Sequence, residues 1–142
     1  MEKMGAELVR RGFSIISGNA SGADQAWVRG GNDVDPAKVK LCLPWRSFEA
    51  QAIHPGNVVA VLDELQSSEK VSYFHLAAKY HPAWDQLMLG ARKLHARNAM
   101  IVEPAQELVG YVDHSRPGGG GAGMAFRLAD GHFGIRSWDV SK

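Results

Sequence analysis

Three short stretches of this chain carry residues whose types and spacing suit the capture of an anion. The first is Ser17-Gly18-Asn19-Ala20-Ser21-Gly22-Ala23-Asp24, which follows the apolar, β-branched run Phe13 to Ile16 and leads into Gln25-Ala26-Trp27-Val28. Strand, glycine turn and helix N-terminus in that order aim backbone N–H groups at one point, where a phosphate can be held. Glycine lets the main chain approach a ligand closely and take positive φ. The same letters also serve as an ordinary connection between strand and helix. The second stretch, Gly118 to Gly123, again separates a strand-like run from a helix-like one. Its plainer reading is a flexible surface loop. The third is His95-Ala96-Arg97-Asn98, where His95 and Asn98 share one helix face and Arg97 points elsewhere. An Arg beside two glycine turns suits a bidentate phosphate contact, whereas alone it reads as a solvated helix residue.

The candidate contacts to an anionic, nucleotide-like ligand are therefore Ser17, Gly18, Asn19, Ala20, Gly22, Asp24, Arg97, Asn98, Gly119, Gly120, Gly121 and Gly123. Asp24 has three readings: a helix cap by default, a partner for a ribose hydroxyl, or a base. Trp45, Phe48 and Trp84 could stack on a base, but aromatic residues of this number more often fill a core. The six histidines show no metal-ligand spacing, and neither a G-x-S-x-G elbow nor a G-K-[ST] loop is present. No catalytic residue, metal or cofactor is assigned.

The elements that must position these residues follow from apolar periodicity. Residues 1–11 read as an amphipathic helix stopped by Gly12, Phe13 to Ser17 as a strand, and Asp24 to Arg29 as a helix closed by Gly30-Gly31-Asn32. Val39 to Leu43 is a second strand, and 45–57 is loop. Val58 to Leu65 and Tyr73 to Tyr80 read as helices, the latter interrupted by His81-Pro82. Trp84 to Ile101 is the longest helical pattern. Glu107 to Val112 and Ile135 to Val140 are strands flanking a helix over Ala122 to Ala129. Strands without clean alternation imply burial on both faces. Strands alternating with helices predict an α/β fold, a Rossmann-like, doubly wound, mainly parallel sheet flanked by helices. In such a sheet both glycine turns emerge at the carboxyl edge, where ligands bind.

Composition narrows the class. The chain has 142 residues, 45% hydrophobic and 22% charged, which fits one domain over 1–142 with a sizeable core. Its net charge of +1 lacks the electrostatic footprint of a dedicated nucleic-acid binder. The lone Cys42, inside the apolar run Val39 to Leu43, reads as a buried thiol in a reducing compartment. No run reaches membrane-spanning length and no signal-peptide order opens the chain, so a cytoplasmic protein is expected, without membrane partners.

Taken together, these motifs resemble the SLOG superfamily of Rossmann-like proteins, which includes the DNA-processing protein DprA/Smf and the LOG phosphoribohydrolases. The pattern is most similar to phage and prophage DprA-like proteins. Its blocks correspond to Ser17 to Asp24, Leu43-Pro44-Trp45, His81-Pro82, Leu94 to Asn98 and Gly120 to Ala129, in order along nearly the whole chain. The resemblance implies a nucleotide or nucleotide derivative as ligand, with a role in sensing or sequestering a nucleotide signal. It places a phage-encoded member in the host cytoplasm. A DprA-like role would instead imply single-stranded DNA as partner, against which near-neutral charge counts mildly.

Two departures qualify these expectations. Members begin with a strand ending in a G-I-G-S-R-E-T-P-like turn, a block without counterpart ahead of Met1. A chain lacking it leaves two strand edges open, so a homo-oligomer is expected. In LOG enzymes the segment resembling Pro117 to Arg127 carries a threonine where Met124 stands and an essential glutamate where Arg127 stands. A cation cannot replace a carboxylate that stabilises an oxocarbenium-like centre or handles a proton. No phosphoribohydrolase activity is therefore expected. Cleavage of an N-glycosidic bond with Asp24 or Asp113 as the acid group is the remaining, weaker alternative.

Overall fold

The structure, a computed structural model, describes residues 1–142 apart from the side chain of Pro117. It divides into two compact units, Met1–Glu64 and Leu65–Lys142, each built around its own parallel sheet. The class is mixed α/β with parallel strands, as the alternation of elements predicts. No helix among the described residues is long and apolar enough to cross a membrane.

The first unit runs α1 (Glu2–Arg10), β1 (Ile15–Ser17), α2 (Ala23–Val34), β2 (Val39–Leu43) and β3 (Val58–Val61). The strands lie in the order β1-β2-β3, all parallel, with Ile15 opposite Val39 and Lys40 opposite Val58. Val28, Val39, Leu41, Leu43 and Val61 form the core, with Phe48, Ile53 and Val59 packed against it. Each such side chain taken out of water contributes roughly 1.5–3 kcal/mol. Cys42 is buried within β2, as its apolar run implies.

Two expectations for this unit are corrected. Val58 to Leu65 is not a helix. Val58-Val59-Ala60-Val61 pairs with β2, and only Leu62–Glu64 coils, into a single 3-10 turn. β-branched residues lose rotamer freedom in a helix but pack well on a sheet, and the partner strand decides between the two. Likewise Gly30 and Gly31 do not end α2, which continues to Val34. A Cβ on Gly30 would sit 1.9 Å from the Glu2 carbonyl oxygen, and one on Gly5 would sit 2.4 Å from that of Trp27. These glycines let α1 and α2 meet backbone to backbone. By contrast Gly12 does stop α1, at φ +93°.

The second unit runs α3 (Ser67–Tyr80), α4 (Leu89–Val102), β4 (Glu107–Gly110), α5 (Gly120–Leu128) and β5 (Arg136–Asp139). β4 and β5 are parallel, with Glu107 opposite Arg136 and Gly110 opposite Asp139. Buried Ala77, Ala96 and Ala99 keep the helix faces smooth, and Met100, Val102, Met124 and Leu128 fill the interior. α3 begins earlier than its apolar pattern, and ends at Tyr80 where Pro82 forbids continuation. The expected long helix over Trp84 to Ile101 is two pieces. Trp84–Gln86 forms a 3-10 turn, Leu87 and Met88 are extended, and α4 starts at Leu89.

Candidate functional site

The turn after β1 is ordered by side chains. Ser17 is buried at the end of the strand and its Oγ accepts the Asn19 N–H at 3.2 Å. Asn19 is fully buried and left-handed, with φ +59°. A non-glycine residue tolerates that backbone only where its surroundings hold it, and asparagine does so best. Here Asn19 Nδ2 donates to the Glu49 carbonyl oxygen at 3.1 Å, and the Asn19 carbonyl accepts from Gln25 Nε2 at 3.2 Å. Asn19 Oδ1 is buried without a hydrogen-bond partner among the described residues. Gly18 lies between these two anchors.

Gly22, at φ +93°, is the residue from which α2 springs. The default reading of Asp24 as a helix cap is corrected: Gly22 holds the cap position, and Asp24 sits inside the first turn. Its Oδ2 accepts the Ala20 N–H at 3.4 Å, while the Ala20 carbonyl accepts the Gln25 N–H. Glu49 brings a second carboxylate to this turn, with Oε2 accepting from Gln25 at 3.3 Å and from Gln51 at 2.6 Å. Glu49 and Gln25 were not among the expected site residues. Nothing local marks a tie between Asn19 and Glu49, which lie 30 positions apart.

The second glycine turn is built differently. Gly118, Gly119 and Gly120 have φ of +70°, +75° and +65°, three left-handed residues in succession. Glycine alone takes that backbone without penalty. Space forbids side chains as well: a Cβ on Gly119 would lie 2.6 Å from Val112 Cγ1, and one on Gly123 would lie 1.9 Å from the Gly118 carbonyl oxygen. Gly119 and Gly123 are therefore closely packed positions, while Gly118 and Gly121 are exposed, and α5 begins at Gly120.

Arg127 clamps this turn. Its Nη1 donates to the Gly118 carbonyl at 2.7 Å and its Nε to the Tyr80 carbonyl at 3.2 Å. Arg127 thus holds the main chain of the glycine turn. Arg97 is buried, so its reading as a solvated helix residue is corrected. Rather than pointing away, its Nε donates to Asn98 Oδ1 at 3.3 Å, and Asn98 Nδ2 donates to the Gly121 carbonyl at 3.3 Å. Arg97, Asn98 and Gly121 are therefore linked in one chain of contacts with Gly119, Gly120 and Gly123 beside them. Ser17, Gly18, Asn19, Ala20, Gly22 and Asp24 form the other group, in the first unit.

Histidines flank the second group. The His81 and His95 rings lie 4.4 Å apart, and His81 Nδ1 accepts the Ala83 N–H at 3.1 Å. Burial pushes His95 down to about 4, with help from His81, Arg127 and Arg97, so it is neutral at pH 7. His81 is lowered by burial and by Arg127. Trp84 packs edge-on to Phe74 and carries the Arg92 guanidinium over its ring, while Trp45 meets Phe48 edge-on. These aromatic residues are committed to packing. No group of three or more His, Cys, Asp or Glu that could hold a metal occurs among the described residues.

No family model matches the chain, and neither a curated protein nor a solved structure matches it.

Proposed function

We propose that this protein binds a nucleotide or nucleotide derivative, as a Rossmann-like, doubly wound protein of the SLOG type related to the phage DprA-like group. The observation that carries the reading is the Gly118–Gly120 turn, three left-handed glycines opening directly into the nine-residue helix α5. Arg127 holds the Gly118 carbonyl and Asn98 the carbonyl of the adjoining Gly121. A helix N-terminus carries about half a positive charge and unused N–H donors, the match for a phosphate. The role consistent with a binder lacking the LOG glutamate is sensing or sequestering a nucleotide signal.

The test is native mass spectrometry of the protein purified from cells, followed by nucleotide extraction, with a thermal-shift panel of nucleotides. A carried nucleotide, or a clear shift with one member, is the expected result. Binding at 100-fold excess over Kd stabilises by roughly 2.7 kcal/mol, which such a scan detects readily. Neither a carried ligand nor any shift across the panel overturns the proposal. The same mass measurement reports whether the chain is a homo-oligomer.

One observation favours single-stranded DNA as a second reading. Trp138 and Tyr111 are exposed large aromatics at the β4–β5 sheet, with the Arg136 guanidinium 5.8 Å from the Trp138 ring. Aromatic faces beside Arg are what bases stack on. Affinity for an oligonucleotide that falls steeply with salt would favour this reading, whereas a compact nucleotide site responds less.

A further inference from the structure

Two buried side-chain nitrogens of the second unit lack a hydrogen-bond partner among the described residues, Arg92 Nε and His95 Nδ1. Both belong to α4 and stand three positions apart, so they share one side of the helix. Neighbours at that spacing, roughly 5–6 Å between Cβ atoms, can both reach one small ion. The same side meets the connection from α3 to α4. The His81 ring lies 4.4 Å from that of His95, and Arg92 Cζ lies 5.4 Å from the Trp84 ring centroid. His81 and Trp84 are themselves 6.5 Å apart. The two nitrogens are thus covered by rings, where polar groups shut away from water ordinarily find acceptors.

The charge at this place has one sign. The groups whose charges reach His95 are His81, Arg127 and Arg97, all of them bases, and Arg92 adds its own guanidinium one turn away. Burial lowers Arg127, and no carboxylate among the described residues offsets it. Asp85, the one carboxylate of the connection from His81 to Met88, is exposed. A buried water would satisfy the two nitrogens but leave the gathered positive charge uncompensated. An oxyanion does both, since one oxygen accepts from Arg92 Nε, another accepts from His95 Nδ1, and its charge offsets the cations.

We infer that Arg92 and His95, with His81 across from them, form a binding site for an oxyanion, a phosphate or carboxylate group, between α4 and the α3–α4 connection. The site stands on side chains of α4 and not on the main chain of the Gly118–Gly120 turn, so it does not depend on the nucleotide reading. Both nitrogens are closed to solvent, and the ion enters as the connection from His81 to Met88 lifts from the helix. The anion favours the charged form of His95, so binding takes up a proton and tightens as pH falls.

The test follows the His95 imidazole of the full chain by NMR. Sulfate is the probe, because its charge does not change across the range, and chloride at equal ionic strength is the reference. Sulfate should raise the His95 midpoint from about 4 by roughly two pH units, and should bind severalfold tighter at about pH 5.5 than at about pH 7.5. Arg92→Lys keeps the charge, loses the Nε–H and should weaken sulfate roughly tenfold. His95→Gln should abolish the pH dependence. A His95 midpoint unmoved by saturating sulfate overturns the inference, as does equal affinity in wild type and Arg92→Lys. AMP and adenosine identify the source of the ion. A midpoint moved by AMP and not by adenosine marks the phosphate of a larger ligand, and one moved by sulfate alone marks a free ion. If sulfate moves the midpoint while no nucleotide is carried or shifts the melting temperature, the nucleotide reading falls and the oxyanion site stands.

Discussion

The two glycine turns share one grammar, strand then glycines then helix, yet they are held by opposite chemistry. The turn after β1 has a buried asparagine in the left-handed position and two carboxylates, Asp24 and Glu49, in its hydrogen-bond network. The turn after β4 has three left-handed glycines backed by Arg127 and Asn98. Side chains that carry negative charge oppose an anion at the first, whereas the Arg127 guanidinium favours one at the second. Two charges several ångströms apart near a surface interact by something of the order of 1 kcal/mol, enough to rank the turns. A strand–glycine–helix pattern therefore marks where an anion could sit. The side chains behind it decide whether one is welcome.

The sharpest way to break the comparison is one substitution made at both turns. Gly123→Ala places a methyl group against the Gly118 carbonyl and should cost about 3 kcal/mol or more in denaturant unfolding. Gly22→Ala meets open space and bears only its positive φ, so about 1 kcal/mol is expected. Equal losses would show that the second turn yields as readily as the first.

Next in size, Arg127→Met removes a charged donor from the Gly118 and Tyr80 carbonyls and should cost about 2 kcal/mol. Its counterpart, Asn19→Ala, should cost about 1–2 kcal/mol, because the Glu49 carbonyl loses its donor while an unpartnered buried oxygen is relieved. Chemical denaturation of both variants gives the two values.

Acid should separate the units. His95 titrates near its usual 6.5 when unfolded and about 4 when folded, so the unfolded chain binds the extra proton between those values. Stability is full above pH 6.5 and declines as pH falls toward 4. Hydrogen exchange should show amides of α4 and α5 losing protection over that window, and His95→Gln should flatten the decline. The smallest effect is expected of Glu49→Gln: stability within about 0.5 kcal/mol of wild type, and severalfold tighter retention of pyrophosphate at the first turn by equilibrium titration.

Much of this architecture is legible in the residues. β2, four apolar residues and Lys40, is bounded as expected, and β1, β4 and β5 lie inside the runs that predict them. What escapes a linear reading is whatever needs a partner to interpret. Val58 to Val61 has helix-compatible spacing until β2 lies beside it. Gly30 spells a stop until α1 presses on it. Arg97 looks solvated until Asn98 and Gly121 are placed. Arg127 reads only as a lost glutamate, because its bond to a carbonyl nine residues back exists only once the turn has closed. His114 and Asp139 are 25 positions apart and become neighbours through the parallel register of β4 and β5.

The contact of α1 with α2 has a consequence in time. A nine-residue helix is too short to persist in water by itself, so α1 is helical only while docked. Docking passes through Gly5 on one side and Gly30 on the other, with main chain against main chain. No flexible side chain cushions that approach, and a slide of one turn would drive a bulkier residue into a carbonyl. Partial detachment therefore has no comfortable halfway geometry. The amides of α1 should exchange with solvent together, in a single opening event, rather than fray one by one from Met1.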